Sequence, residues 1–507
     1  MNNTFLDSLK ENENLKYTEN GALAYKSTNS AVYDMFAFGG AYRNRSTEDI
    51  ISLFRAALVE DETLAMKCLF YLRDCIAGQG ERRFFRVAFK WLACNFPRVA
   101  WRNFFCFYTD ICRWDDLIYS CLETPLEQNM VNVIRDQLIL DAESKTPSLL
   151  AKWMPSENAS SKKTKEAGYI LRTMMHLSPK EYRKLLSGIR TKINIVEKLM
   201  SENRWDEIEF DKIPSKAGLK YKNAFARRDI IAKKYENFIK DEKTKVNAKT
   251  LYPYEIVAKA THFGSGNYRF SSDLVETDRA AIEKYWNNLP DYLNGKPCKM
   301  LCVVDTSGSM TGSNAAAPIN VAISLGMYCA ERIGGLFNNH YISFSSRPQF
   351  IEIKGKDFVD KVQRIYNTNL CENTNLTKTF DLILDIAKLP DVKKEDIPET
   401  IVVISDMEID MGTASWSGWN RHSGWTETSA VTEMEKIHKK FAAAGVKCPK
   451  LVYWNVDARN NTILDSSPDV SFVSGMSPVL FEQVLTGKTG YDLMLDKLNS
   501  ERYKDIC

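Results

Sequence analysis

Nowhere in the 507 residues do about 18 consecutive apolar residues occur, so no helix is expected to span a bilayer. The opening stretch MNNTFLDSLKENENLKYTENGALAYKSTNS is polar throughout and lacks the apolar core of a secretory signal, which points to a cytoplasmic protein with no membrane partner. The twelve cysteines form no CxxC pair and no even framework in a small chain. Several, such as Cys68, Cys302 and Cys329, fall inside apolar runs and read as buried thiols. Cys298 and Cys302 span the start of an apolar strand, which argues against a shared zinc.

What is present is an ordinary globular composition, 44% hydrophobic and 26% charged, enough to build a large core. The length exceeds what one core holds, and two main domains are expected. The net charge of +3 conceals an asymmetry: residues 161–249 carry 23 Lys plus Arg against 12 Asp plus Glu, so that stretch is +11 and the remainder −8. A basic stretch of this kind is either a solvated helical face or the footprint of a nucleic-acid binder.

From about residue 30 to 290 the period is helical, as in STEDIISLFRAALVEDETLAMKCLFYLRDCIAG and ERRFFRVAFKWLACNF. Ser46 followed by Asp49 suits a helix start. Short helices broken by turns such as Ala77-Gly78-Gln79-Gly80 favour stacked hairpins, an α-solenoid. Arg113-Trp114-Asp115-Asp116-Leu117 is echoed by Arg204-Trp205-Asp206-Glu207-Ile208, where the Trp is expected between helices and the acidic pair capping the next turn. The polar segment 157–165 breaks the period and reads as an exposed loop. The stronger boundary is LPDYLNGKPCK, so the expected limits are an extension over 1–29, helical repeats over 30–295 and a second domain over 296–507.

After that boundary, the apolar runs MLCVVD, HYISFSS, QFIEI, TIVVISD, KLVYWNVD and VSFVSG alternate with amphipathic stretches such as KTFDLILDIAKL and SAVTEMEKIHKKFAAAG. That is the pattern of a doubly wound α/β domain with a mostly parallel sheet. Ligands of such sheets gather at the carboxyl ends of the strands. There the first strand ends in Asp305-Thr306-Ser307-Gly308-Ser309, a carboxylate and two hydroxyls at alternate positions, and a later strand ends in Ser405-Asp406. Between them Thr374 precedes a helix and offers a third hydroxyl, with Thr368 in a duplicate Asn-Thr-Asn-Leu motif as its rival. Hard oxygen donors of this kind suit Mg²⁺, which prefers octahedral geometry at roughly 2.1 Å and keeps several waters.

As a set, Asp305-x-Ser307-x-Ser309, Thr374 and Asp406 resembles the metal-ion-dependent adhesion site (MIDAS) of von Willebrand A domains. The resemblance implies a Rossmann-like domain that binds Mg²⁺ (or Mn²⁺ or Ca²⁺) and uses it to capture an acidic residue of a protein partner. It departs from the pattern after the second Asp, where Met407 stands for the usual Gly. No nucleophile or general base with a partner is evident nearby, His340 reading as a strand start and His422 as a loop residue, so no enzyme activity is expected. The loop beyond Asp406 holds Trp416, Trp419 and Trp425 among Gly and Ser, either a partner-binding rim by the metal or rings folded back onto the domain.

Helical repeats followed by a von Willebrand A domain resemble the Ro proteins and their HEAT-like TROVE module, ring-shaped chaperones of small structured RNAs and single-stranded RNA ends. Further stretches resemble a related family of unknown function in plants, fungi and large viruses: Thr18-Glu19-Asn20-Gly21-Ala22, Arg73-Asp74 with Gly78-Gln79-Gly80-Glu81-Arg82, Arg113-Trp114-Asp115-Asp116, Tyr453-Trp454-Asn455-Val456 and Val470-Ser471-Phe472-Val473-Ser474-Gly475-Met476-Ser477-Pro478. The expectation is a ribonucleoprotein scaffold, with a protein-interaction scaffold lacking RNA as the alternative. The basic residues expected to meet RNA are Lys162, Lys163, Lys165, Arg183, Lys184, Lys216, Lys220, Lys222, Arg227, Arg228, Lys233 and Lys234.

Overall fold

A computed structural model describes residues 13–17, 23–193, 195–264, 267–270, 274–312, 314–345, 347–368, 375–408, 433–464 and 469–507. The chain divides into two compact units, Ser46–Thr250 with Ser500–Cys507, and Met1–Arg45 with Leu251–Asn499. Among the described residues, no helix is long and apolar enough to cross a membrane.

The first unit is helical. Its longer helices are α1 (Thr47–Glu60), α2 (Glu62–Arg73), α3 (Arg82–Asn95), α4 (Trp114–Cys121), α5 (Glu127–Glu143), α6 (Lys162–Met174), α7 (Pro179–Lys192), α8 (Ser215–Arg227) and α9 (Asp229–Lys240). Each of α1 to α4 packs on the next, and α8 packs on α9. The expected start at Ser46 is a capping box: its hydroxyl accepts from the Asp49 backbone N–H at 3.0 Å, and the Asp49 carboxylate accepts from the Ser46 N–H at 3.3 Å. Asp61 then ends α1 and caps α2, accepting from the Leu64 N–H at 2.8 Å. One expectation fails here. Residues 162–165, read as loop, open α6, because Ser161 accepts from the Thr164 N–H at 3.4 Å and starts a helix inside the polar segment.

The turn after α2 explains a motif. A side chain at Gly78 would lie 2.0 Å from the Tyr71 carbonyl oxygen, and Gly80 has φ +65°. Between them the Gln79 side-chain amide donates to the Tyr71 hydroxyl at 2.6 Å. Buried Asp74 accepts from the Ile76 and Ala77 N–H groups at 2.8 and 3.2 Å and from the Tyr503 hydroxyl at 3.0 Å. The Arg-Asp…Gly-Gln-Gly sequence is thus a hydrogen-bonded corner of the helical core.

The second unit holds helices α10 (Pro253–Ala260), α11 (Glu276–Asn287), α12 (Pro318–Arg332), α13 (Phe358–Thr368), α14 (Leu376–Ala387) and α15 (Glu433–Ala443). Its sheet is built from β1 (Met300–Asp305), β2 (His340–Phe344), β3 (Phe350–Glu352), β4 (Thr400–Ser405), β5 (Lys450–Asn455) and β6 (Val470–Ser474). These are the six apolar runs of the sequence. Their order is β6-β5-β4-β1-β2-β3, all parallel except β3, which pairs antiparallel with β2. The chain moves outward from β1 to one edge, returns to β4 beside β1, and then builds the other edge. The topological switch point therefore lies between β1 and β4. Helix α12 reaches β1 closely: a side chain at Gly326 would meet Val304 at 2.4 Å.

By compactness the units part near residue 250. The reason is packing: α10 rests on α12 and α11 on α13, with the Trp286 ring 4.6 Å from that of Phe358, so these two helices share the core of the α/β unit.

Candidate functional site

The carboxyl ends of β1 and β4 meet at the switch point. Val304 pairs with Ile404 in parallel register, which sets Asp305 beside Ser405 and leaves Asp406 one residue further. Asp305 is fully buried. Its Oδ1 accepts from the Ser307 N–H at 2.8 Å, and its Oδ2 accepts from the Ser405 hydroxyl at 2.5 Å. The Ser307 and Ser309 hydroxyl oxygens lie 3.0 Å apart, Ser307 buried and Ser309 exposed, so the loop runs from the core outward.

Asp406 is equally buried and is held by the Arg459 guanidinium, which also donates to the Ser309 carbonyl oxygen at 3.5 Å. Among the described residues, the cation paired with these two buried carboxylates is the Arg459 guanidinium. Burial, and then the charge of Asp406, push the Asp305 carboxyl up to about 7 despite the hydrogen bonds from Ser405 and Ser307. Surplus negative charge beside hydroxyl oxygens is the donor chemistry of a hard divalent cation. Among the described residues no three His, Cys, Asp or Glu side chains gather as a metal group, so hydroxyls are needed to complete any such set.

The departure at Met407 has a geometric consequence. Met407 has φ +67°, the left-handed conformation that Gly adopts freely, and its side chain is 1% exposed. Its N–H donates to the Ser405 hydroxyl at 3.1 Å, and the next N–H, of Glu408, donates to Asp406 at 3.3 Å. The strained turn therefore fixes both the serine that orients Asp305 and the second carboxylate.

Of the other expected ligands, Thr374 lies outside the described residues. Asn375 caps α14, accepting from the Lys378 N–H at 2.9 Å, while Thr368 is the last residue of α13. Trp416, Trp419 and Trp425 also lie outside the described residues. His340 opens β2, its ring stacked on Phe350 with centroids 4.7 Å apart.

Among the expected RNA contacts, Lys162, Lys163 and Lys165 are exposed on α6, and Arg183 and Lys184 on α7 opposite buried Tyr182, Leu186 and Ile189. Lys216, Lys220 and Arg227 are exposed on α8, and Lys233 and Lys234 on α9 opposite buried Ile231, Tyr235 and Ile239. Lys222 must be corrected: it is 4% exposed and its ammonium donates to the Asn223 side chain at 2.6 Å, because it falls on the α8 face that carries Leu219 and Phe225 inward. Lys234 is committed to the Asp206 and Ile208 carbonyl oxygens at 3.0 and 2.9 Å, and the Arg228 guanidinium lies 4.9 Å from the centroid of buried Trp205. Sequence reasoning missed the role of Ser405, which the strand-end motif contains, and missed Arg459, which no local motif announces.

A family model described as a domain of unknown function (DUF2828) matches residues 18–130 and 148–296, and a second (DUF7788) matches residues 299–504. The chain is similar to uncharacterized protein L728 of Acanthamoeba polyphaga mimivirus, 30% identical over an alignment of 519 positions that covers 94% of this chain and 85% of that protein. Among solved structures it is similar to the Ro (RSR) protein of Deinococcus radiodurans, at 15% identity and a TM-score of 0.37 over 95% of each chain. The match of the helical region and the near full-length viral relative together place this chain in the family of the domain of unknown function DUF2828.

Proposed function

We propose that this chain is a metal-binding, Ro-like scaffold, a ribonucleoprotein component that binds RNA through HEAT-like helical repeats and carries a von Willebrand A domain with a MIDAS over 296–507. In this reading Asp305, Ser307, Ser309, Thr374 and Asp406 hold Mg²⁺, or Mn²⁺ or Ca²⁺ in its place. The site is a binding device and not a catalytic one. The observation that supports it best is the pair of buried carboxylates at the switch point, facing a single guanidinium and flanked by two serine hydroxyls. Support for RNA comes from the charge of 161–249 and from the exposed lysines and arginines of α6 to α9, whose other faces are core.

Crosslinking in cells, followed by identification of bound RNA and protein, tests the reading together with filter binding of the full chain. If about six basic residues engage phosphate, raising salt from roughly 50 to 200 mM should lower RNA affinity roughly a thousandfold. Reproducible protein partners with RNA at background would replace RNA by a protein partner, its acidic residue captured at the metal.

A further inference from the structure

Four arginines of the helical unit gather on two carboxylates. Fully buried Asp116 accepts from Arg73 Nε at 2.6 Å and Arg86 Nε at 2.8 Å. A single oxygen of Asp115, Oδ2, is approached by three guanidinium groups: Arg86 at 2.6 Å, Arg113 at 2.7 Å and Arg82 at 4.0 Å. Burial alone would raise the Asp115 carboxyl, but Arg113 and Arg86 outweigh it and hold it below its ordinary value.

A purely structural network needs no more cations than anions, and this one has a surplus. The surplus is graded outward, because side-chain exposure runs from 3% at Arg73 through 19% at Arg86 and 32% at Arg113 to 53% at Arg82. Arg82 is therefore held beside two like charges at the surface, with its nearest carboxylate oxygen at 4.0 Å, and burial followed by Arg113 and Arg86 lowers its pKa. Aromatic rings adjoin the same charges: the Arg113 guanidinium lies 4.0 Å from the Trp153 centroid, and Arg86 and the Lys163 ammonium lie 5.1 and 5.6 Å from that of Tyr119.

We propose that Arg82, Arg86 and Arg113, with Lys163 beside them, form a phosphate site for the backbone of single-stranded RNA. The proposal rests on the RNA reading above and moves its centre to residues outside the basic segment. Three guanidinium groups within 4.0 Å of one oxygen make a place that suits an anionic oxygen, and the Arg82 and Arg113 side chains, 53% and 32% exposed, are open to a second one. Guanidinium planes laid on aromatic rings are the surface on which unpaired bases and their phosphates are held, whereas a duplex hides its bases.

The test is fluorescence anisotropy of a labelled oligouridylate with the full chain over a salt series. Arg82→Gln with Lys163→Gln removes two exposed charges and leaves the buried pairs intact, so the melting temperature should hold. Affinity at low salt should fall about tenfold or more, and the slope of log affinity against log salt should flatten by about 1.4, roughly 0.7 for each phosphate no longer neutralised. Lys216→Gln with Lys233→Gln measures the share of α8 and α9, which the RNA reading also sets against RNA, and a loss there larger than in the Arg82/Lys163 variant would move the phosphate site away from the arginine cluster. If the wild type binds and the Arg82/Lys163 variant keeps its slope and affinity, the site is overturned while the RNA reading stands. If the wild type binds none of the oligouridylate, both fall, and tighter binding of a matched duplex overturns the single-strand assignment.

Discussion

Both compact units bury charge, and they leave it unbalanced in opposite senses. At the switch point of the α/β unit, among the described residues, two buried carboxylates lie beside the guanidinium of Arg459. In the helical unit, four guanidinium groups surround two carboxylates. Desolvated charge is costly unless compensated, which is the ground for the two proposals above. There the sign sets the expected occupant: a cation for Asp305 and Asp406, an anion for Arg82 and Arg113. The same comparison separates structural members from recruiting ones, since Arg73 and Asp116 satisfy each other at depth while Arg82 does not.

The comparison breaks first at Asp116. Asp116→Ala strands Arg73, which is 3% exposed, and the full chain should lose about 3 to 5 kcal/mol in chemical denaturation. A loss below about 1 kcal/mol would show that Arg73 finds water or another acceptor, and the helical cluster would no longer count as a buried network.

Asp305→Ala is expected to do the reverse. It removes a carboxyl that already repels its neighbour, so unfolding should shift little, within about 1 kcal/mol, while calorimetric binding of Mg²⁺ or Mn²⁺ disappears. Unaltered metal affinity would remove Asp305 from the ligand set.

Arg459→Ala sharpens the charge count. With Asp406 released from its internal cation, Mg²⁺ should bind at least tenfold more tightly, since a like unit charge about 4 Å away opposes a cation by about 4 kcal/mol at an effective dielectric constant of about 20, before solvent screens the part-exposed guanidinium. Weaker binding in this variant would mean that the guanidinium positions Asp406 for the metal rather than competing with it.

The smallest effect is at Met407. Both Met407→Gly and Met407→Ala lose a buried side chain, but only Gly relieves φ +67°. The Gly variant should therefore be more stable than the Ala variant by about 1 kcal/mol, opposite to the order in a helix. Equal melting temperatures would show that the turn relaxes without cost.

Much of this was legible beforehand. Ser46 and Asp49 announced a helix start, and six apolar runs announced six strands, because caps and buried strands are decided by residues a few positions apart. The polar residues ending β1 and β4 were legible as strand ends for the same local reason, and pairing of the two strands brings those ends together. The errors arose where two local signals competed. The polarity of 157–165 hid the Ser161 cap that begins α6, and Lys222 was counted as surface because its charge outweighed its place on the buried face of α8.

By itself, the sequence determined the alternation of strands and helices, the excess of positive charge over 161–249, the Asp305-x-Ser307-x-Ser309 strand end and the second carboxylate at Asp406. Only the tertiary structure decided that β1 and β4 are neighbours, that Ser405 orients Asp305, that Arg459 reaches Asp406 from 53 residues away, and that Arg82, Arg86 and Arg113 converge on one oxygen of Asp115. The physical reason is range. Periodicity and capping act over one or two turns of chain and leave a trace in neighbouring letters, whereas compensation of buried charge depends on which distant groups the packing brings within a few ångströms.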